Sequence, residues 1–237
     1  MRKILFVVIL IVLFPLIANA QDISNLVNEY QRCKKAGDCK AQEIRLINFL
    51  LKSTDVLTVM DEMPTAEDIE YEILRSNLTG SKNDVIVKIF IPNNLGYVFV
   101  LKKDLHKEKY MKLPVIETGF LKISTMDITG DGLSELIIRG RSHETGGYTE
   151  WIALYKYKDM KMNLIWSGTK ESHHVDPDLS WEEKYDITFR SKGSGPKLIY
   201  QIGSAKKTNN ATEKIIYEKK TDKKFKWSQR LFKYVEE

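Results

Sequence analysis

Apolar residues follow two rhythms along this chain, and the change falls near residue 84. Before it, Ile23, Leu26, Val27, Tyr30 and Cys33 recur at i, i+3, i+4 and i+7, the stripe of an amphipathic helix. Gly37 supplies a stop, and Cys39, Glu43, Ile44, Ile47, Leu50 and Leu51 resume a second helix, so residues 22–52 predict a helical hairpin. Thr65-Ala66-Glu67-Asp68 resembles a capping box and predicts a further short helix carrying Ile69, Ile73 and Leu74, ended by Gly80. After it, Val85–Ile91 is β-branched and almost wholly apolar, a strand covered on both faces, and Asn93-Asn94-Leu95-Gly96 turns it into Tyr97–Leu101.

Further strands are expected at Leu121–Met126, Glu135–Arg139, Thr149–Tyr157, Met162–Ser167, Tyr185–Arg190, Lys197–Ile202, Thr212–Lys219 and Phe225–Phe232. Turns are read at Lys158–Lys161, Gly193–Pro196 and Thr221–Lys224. Gaps this short make neighbours antiparallel, because parallel pairs need long crossovers. The expectation is an α+β chain: a helical N-terminal segment, then a large antiparallel β domain, propeller-like or an open sheet or sandwich. No internal repeat or low-complexity segment is visible.

The first residues change the picture of where the chain acts. Arg2 and Lys3 precede an apolar run from Ile4 to Phe14, Pro15 closes it, and Ala18-Asn19-Ala20 offers a small-x-small cleavage pattern. The run reaches Ile17, short of the roughly 18–20 residues a membrane span needs. Residues 1–20 therefore read as a signal peptide, 21–80 as the helical segment and 84–237 as the β domain. The protein is expected to be secreted or periplasmic, with no transmembrane span in the mature chain.

In an oxidising compartment Cys33 and Cys39 are expected to form a structural disulfide pinning the helical corner, since a redox pair favours the tighter C-x-x-C spacing. The formal net charge of +5 falls to about +3 without Arg2 and Lys3. The late lysines (Lys206, Lys207, Lys214, Lys219, Lys220, Lys223, Lys224, Lys226) alternate with apolar residues and read as a solvated strand face. That distribution argues against a nucleic-acid partner. Trp151, Trp166, Trp181 and Trp227 fall in or beside strands, where packing is their usual role and a sugar-binding platform the alternative.

The stretch with most chemistry is Asp127-Ile128-Thr129-Gly130-Asp131-Gly132-Leu133-Ser134-Glu135. Oxygen side chains alternate at Asp127, Thr129 and Asp131, and Gly132 permits the sharp turn that brings the next carbonyl inward, a spacing suited to a hard cation needing six to eight oxygens. The expected ligands are the carboxylates of Asp127, Asp131 and Glu135, the Thr129 hydroxyl and the Leu133 carbonyl, and the expected ion is Ca2+. The competing reading is a glycine-rich turn in which Asp127 and Asp131 cap backbone amides without metal. An EF-hand is excluded, because Ile138 stands at the twelfth position.

The stretch resembles the D-x-[DN]-x-D-G-x-x-[DE] loop of FG-GAP and VCBS-type repeats, the blades of integrin-like propellers. The resemblance covers about twenty residues and a single copy. It implies a strand-to-strand calcium loop in an extracellular recognition protein, the metal holding the connection with no catalytic part. Thr129 and Glu135 depart from the residues commonest at their positions in those families.

Two polar clusters offer an alternative, a secreted hydrolase. His143-Glu144-Thr145-Gly146-Gly147-Tyr148 supplies a candidate acid–base pair in His143 and Glu144, and His173-His174-Val175-Asp176-Pro177-Asp178 offers metal-capable groups. Adjacent histidines on an extended segment point opposite ways, so His173 and His174 cannot both serve one site. His106 reads as a solvated residue. Asn77-Leu78-Thr79 and Asn210-Ala211-Thr212 are glycosylation sequons. The preferred expectation is a non-enzymatic protein binding a protein or polysaccharide partner at the cell envelope.

Overall fold

The computed structural model describes residues 23, 25–34, 37–54, 64–81, 83–91, 95–101, 110–113, 116–191, 193 and 195–237. The expected leader at 1–20, the turn at 92–94 and His106 lie outside them. No described helix is long and apolar enough to cross a membrane.

Among the described residues the chain is β-rich, with two helices and two antiparallel sheets. Helix α1 (residues 25–34) and α2 (Lys40–Leu51) meet at Gly37, whose φ of 117° suits a residue without a side chain. Cys33 and Cys39 are bonded across that corner. The expected hairpin is present, and its stripe (Ile23, Val27, Tyr30, Leu46, Ile47, Leu50, Leu51) is buried.

The first sheet contains β1 (Glu70–Ser76), β2 (Asp84–Ile91), β3 (Leu95–Leu101), β4 (Met111–Lys112) and β5 (Ile116–Glu117), in the order β1-β2-β3-β4, with β5 also on β3. Every residue of β2 and β3 is buried. Val85, Val87, Ile89, Tyr97 and Phe99 face the helices, while Ile86, Phe90, Val98 and Val100 face the second sheet. The sheet is thus the middle of three layers, as its unbroken apolar run requires.

The short helix expected after Thr65 does not form. Asp68 accepts from the Thr65 amide and hydroxyl, closing a turn. Residues 70–76 then pair in register with Ser76 opposite Asp84 and Glu70 opposite Phe90. Tyr71 and Ile73 pack with the helical core while Leu74 packs on the opposite side. This is strand alternation: a ladder on the open edge of β2 satisfies the backbone better than an isolated helical turn.

The second sheet is an eight-stranded meander: β6 (Leu121–Met126), β7 (Glu135–Glu144), β8 (Gly147–Lys158), β9 (Lys161–Val175), β10 (Leu179–Arg190), β11 (Leu198–Asn209), β12 (Ile215–Ser228) and β13 (Lys233–Glu236). Its consecutive order follows from its short connections. Asp159 and Met160, both at positive φ, turn β8 into β9 as expected for that hairpin. Residues 221–224, read as a turn, instead pair with Gly203–Tyr200 inside β12, and the turn comes at 229–232. Four polar residues in a solvent-exposed strand carry the same composition as a loop.

The meander rolls on itself, and β13 comes against β9. Inside the roll lie Ile137, Ile152, Leu154, Ile165, Trp166, Ile199 and Tyr234. The outer face of β6 and β7 (Leu121, Ile123, Leu136, Ile138) covers the first sheet. At Gly203 a side chain would overlap the Lys184 carbonyl on the neighbouring strand, so glycine permits the close backbone approach there.

Candidate functional site

The Asp127–Glu135 loop joins β6 to β7, as the sequence predicts, and its carboxylates converge: Asp127, Asp131 and Glu135 each offer an oxygen within 4.8 Å of the others. The spacing works because Gly130 and Gly132, at φ of 74° and 84°, fold the chain back on itself. The oxygens are already engaged. Asp127 accepts from the amides of Gly130 (2.7 Å) and Gly132 (3.0 Å). Glu135, fully buried, accepts through Oε2 from the amides of Ile128 (2.6 Å) and Thr129 (3.0 Å), and through Oε1 from the Thr129 hydroxyl (2.9 Å).

A cation shares the point of convergence. The Lys156 ammonium, on β8, lies 2.6 Å from Glu135 Oε1, 2.8 Å from Thr129 Oγ1 and 2.9 Å from Asp131 Oδ2. Only 5 % of Lys156 is exposed. Burial opposes ionisation of Asp131, but the hydrogen bonds from Lys156 and the Leu133 amide outweigh it and hold the carboxyl below its ordinary range. As arranged, this donor set fits an ammonium; a calcium ion at the same oxygens would face the lysine charge and would need that side chain to leave.

The loop is also a junction. The Asn77 side chain donates to the Gly132 carbonyl (3.1 Å), and the Ser134 amide to the Asn77 carbonyl (2.8 Å), tying it to the β1–β2 connection. The Lys197 amide donates to the Ile128 carbonyl (2.7 Å). The Tyr234 hydroxyl bridges the carbonyls of Ile128 (3.2 Å) and Lys197 (3.0 Å). Burial, with the charges of Glu135 and Asp127 adding to it, pushes the Tyr234 phenol far above its usual range. One loop therefore fastens the first sheet and both ends of the roll.

The clusters weighed for hydrolysis lie where β7, β8 and β9 run side by side. His143 and Glu144 are the last residues of β7, and the expected loop is a two-residue turn at Thr145-Gly146. Register sets His143 and His173 on either side of Tyr148, and Glu144 and His174 on either side of Gly147. The predicted His143–Glu144 pair is thereby split between opposite faces, and His173 and His174 point opposite ways as expected. Cross-strand neighbours form instead: His174 Nδ1 is 3.9 Å from Glu144 Oε2, and the His173 and Tyr148 rings are 6.2 Å apart.

Sequence reasoning passed over the polar half of the roll's inner face, beside His143 and Tyr148. There Lys122, Arg139, Arg141, Glu150 and Lys170 line an open cleft of about 450 Å3. Glu150 accepts from Arg141 Nε (3.0 Å) and Lys170 (3.3 Å). Burial works against its charge, but those bonds hold its carboxyl below the ordinary range. The Arg141 guanidinium lies 4.6 Å from the Tyr148 ring centre and 5.5 Å from that of Phe120. The strand alternation Arg139-Gly140-Arg141 after Leu136–Ile138 is the sequence signal that marks this face.

Of the tryptophans, Trp166 is buried and Trp227 packs against the same core, whereas Trp181 stacks on Tyr217 at 5.8 Å on the far ends of β10 and β12. No protein-family model matches the chain, and no curated protein or solved structure matches it.

Proposed function

We propose that this is an exported protein that binds a partner or polymer at the cell envelope through the polar half of the rolled sheet. The observation that carries the reading is the cleft of Lys122, Arg139, Arg141, Glu150 and Lys170, charged side chains held on adjoining long strands with aromatic rings beside them. Rigid strands give such a face the fixed geometry that recognition needs. The N-terminal pattern of residues 1–20 and the Cys33–Cys39 bond are consistent with an oxidising exterior.

In this reading the Asp127–Glu135 loop is structural. Lys156 supplies the positive charge that calcium supplies in the FG-GAP-type loops the stretch resembles, and the convergence of its ammonium with Glu135 and Asp131 supports that assignment. Calcium is the second reading, favoured by the close approach of the three carboxylates. The test of function is co-sedimentation with cell-envelope fractions of the producing cells. Wild type should sediment with them, and a Lys122→Gln/Arg139→Gln variant should remain in solution. Equal sedimentation of both would remove the face from the account.

A further inference from the structure

Lys122 and Arg139 sit directly opposite one another on β6 and β7. Like charges in that position destabilise a sheet. Arg141 lies two residues along on the same face, and nearby Lys170 adds a fourth cation. Glu150 is engaged by Arg141 and Lys170 together. Among the described residues, neither Lys122 nor Arg139 makes an ion pair; the Lys122 ammonium has only the Phe120 ring, 5.9 Å from its centre. The cleft therefore presents two uncompensated positive charges, side by side, beside a third cation fixed in place by its carboxylate. Folding gains nothing from this arrangement. A ligand carrying two negative charges would relieve it.

We propose that the cleft binds a phosphate monoester group. Its dianionic oxygens lie between Arg139 and Lys122, the planar guanidinium of Arg139 offering paired donors and Lys122 a point charge. The Glu150-held Arg141 forms the fixed wall. A cavity of about 450 Å3 has room beyond a lone oxyanion, so the group can be borne on a larger molecule. This inference rests on the binding face proposed above and names the chemistry it takes.

The experiment is calorimetric titration of the whole secreted protein at constant ionic strength with three probes: inorganic phosphate, glucose 6-phosphate, and phosphatidic acid in phosphatidylcholine vesicles. Glucose and pure phosphatidylcholine are the controls. Binding of at least one phosphate probe and of neither control is expected, and the probe bound most tightly identifies free, sugar-borne or lipid-borne phosphate. Arg139→Gln should weaken it by about 10- to 100-fold, the range for losing a charged hydrogen bond, while Lys219→Gln/Lys220→Gln on β12 should leave it unchanged. Because Arg139→Gln also removes the like-charge pair, its melting temperature without ligand should be no lower than wild type, which separates lost binding from lost folding. Failure of all three probes, or equal loss in the β12 variant, overturns the phosphate assignment. If the probes fail while envelope sedimentation still depends on Arg139, the ligand class is wrong and the face stands; if sedimentation is also indifferent to Arg139, both fall.

Discussion

Replacing Lys156 by methionine tests what holds the Asp127–Glu135 loop closed. Methionine keeps the apolar stem and volume of the side chain but deletes the ammonium that meets Thr129, Asp131 and Glu135 at 2.6–2.9 Å. Breaking a buried ion pair by removing one partner costs about 3–5 kcal/mol, most of it from the charge left behind. Here that charge is Glu135, fully buried, which retains the amides of Ile128 and Thr129 and the Thr129 hydroxyl. Those bonds place the cost at the lower end, about 3 kcal/mol. Asp131 adds little, because its side chain is half exposed. For a chain of this size that is a fall in melting temperature of roughly 6–12 °C.

The assay is a thermal or urea melt of four proteins, wild type, Lys156→Met, Glu135→Gln and the double variant, each with and without about 1 mM calcium, the affinity range of extracellular modules. The double variant should recover part of the loss in Lys156→Met, because a neutral amide at 135 leaves no uncompensated charge. Calcium should leave wild type unmoved and raise Lys156→Met, where three carboxylates and a vacated centre remain. A wild-type melting temperature that climbs with calcium, together with a Lys156→Met cost below about 1 kcal/mol, would refute the ammonium reading and restore the metal.

Acid should separate the same interactions. Asp131 and Glu150 have folded-state pKa values below their unfolded ones, so their stabilisation is present above the unfolded values, near pH 4, and is lost as pH falls through the folded ones. Asp131→Asn should flatten the stability profile below about pH 4 in urea melts relative to wild type. Tyr234→Phe removes a hydroxyl bridging two carbonyls and should cost about 1–3 kcal/mol by chemical denaturation. Reducing Cys33–Cys39, six residues apart, should cost about 2 kcal/mol by the loop-entropy relation, read as a modest drop in melting temperature with dithiothreitol. Mass spectrometry of the protein recovered from its producing cells should find a mature N-terminus at Gln21; an intact Met1 would remove the leader from the account.

How much of this was legible in the residues depended on whether the signal was periodic or compositional. The helical hairpin and the central strands β2 and β3 carry unbroken apolar periodicity, and the described residues follow it closely. Composition misled where an exposed strand looks like a loop: Thr221–Lys224 lies within β12. Ile69, Tyr71 and Ile73 also fit period two, and the unpaired edge that β2 offers decides between helix and strand there. That edge is a tertiary fact, which no local window contains.

The site separates along the same line. The loop's own oxygens were visible because calcium-type spacing is a local pattern, whereas the cation among them comes from another strand. It was nevertheless within reach of sequence reasoning. Once Thr145-Gly146 is recognised as a two-residue turn, Glu144 meets Gly147, and counting outward brings Leu136 opposite Tyr155, with Glu135 and Lys156 next on the ladder. A buried acid at the start of one hairpin arm and a lysine at the matching place on the other then become cross-strand neighbours, and their attraction follows from register alone. The same count sets Arg141 opposite Glu150 and His143 opposite Tyr148, so one correctly read turn carries both the closed loop and the wall of the cleft. Both assignments therefore stand on the β7–β8 register, and a one-residue slip of that hairpin would reverse the face of every side chain they use.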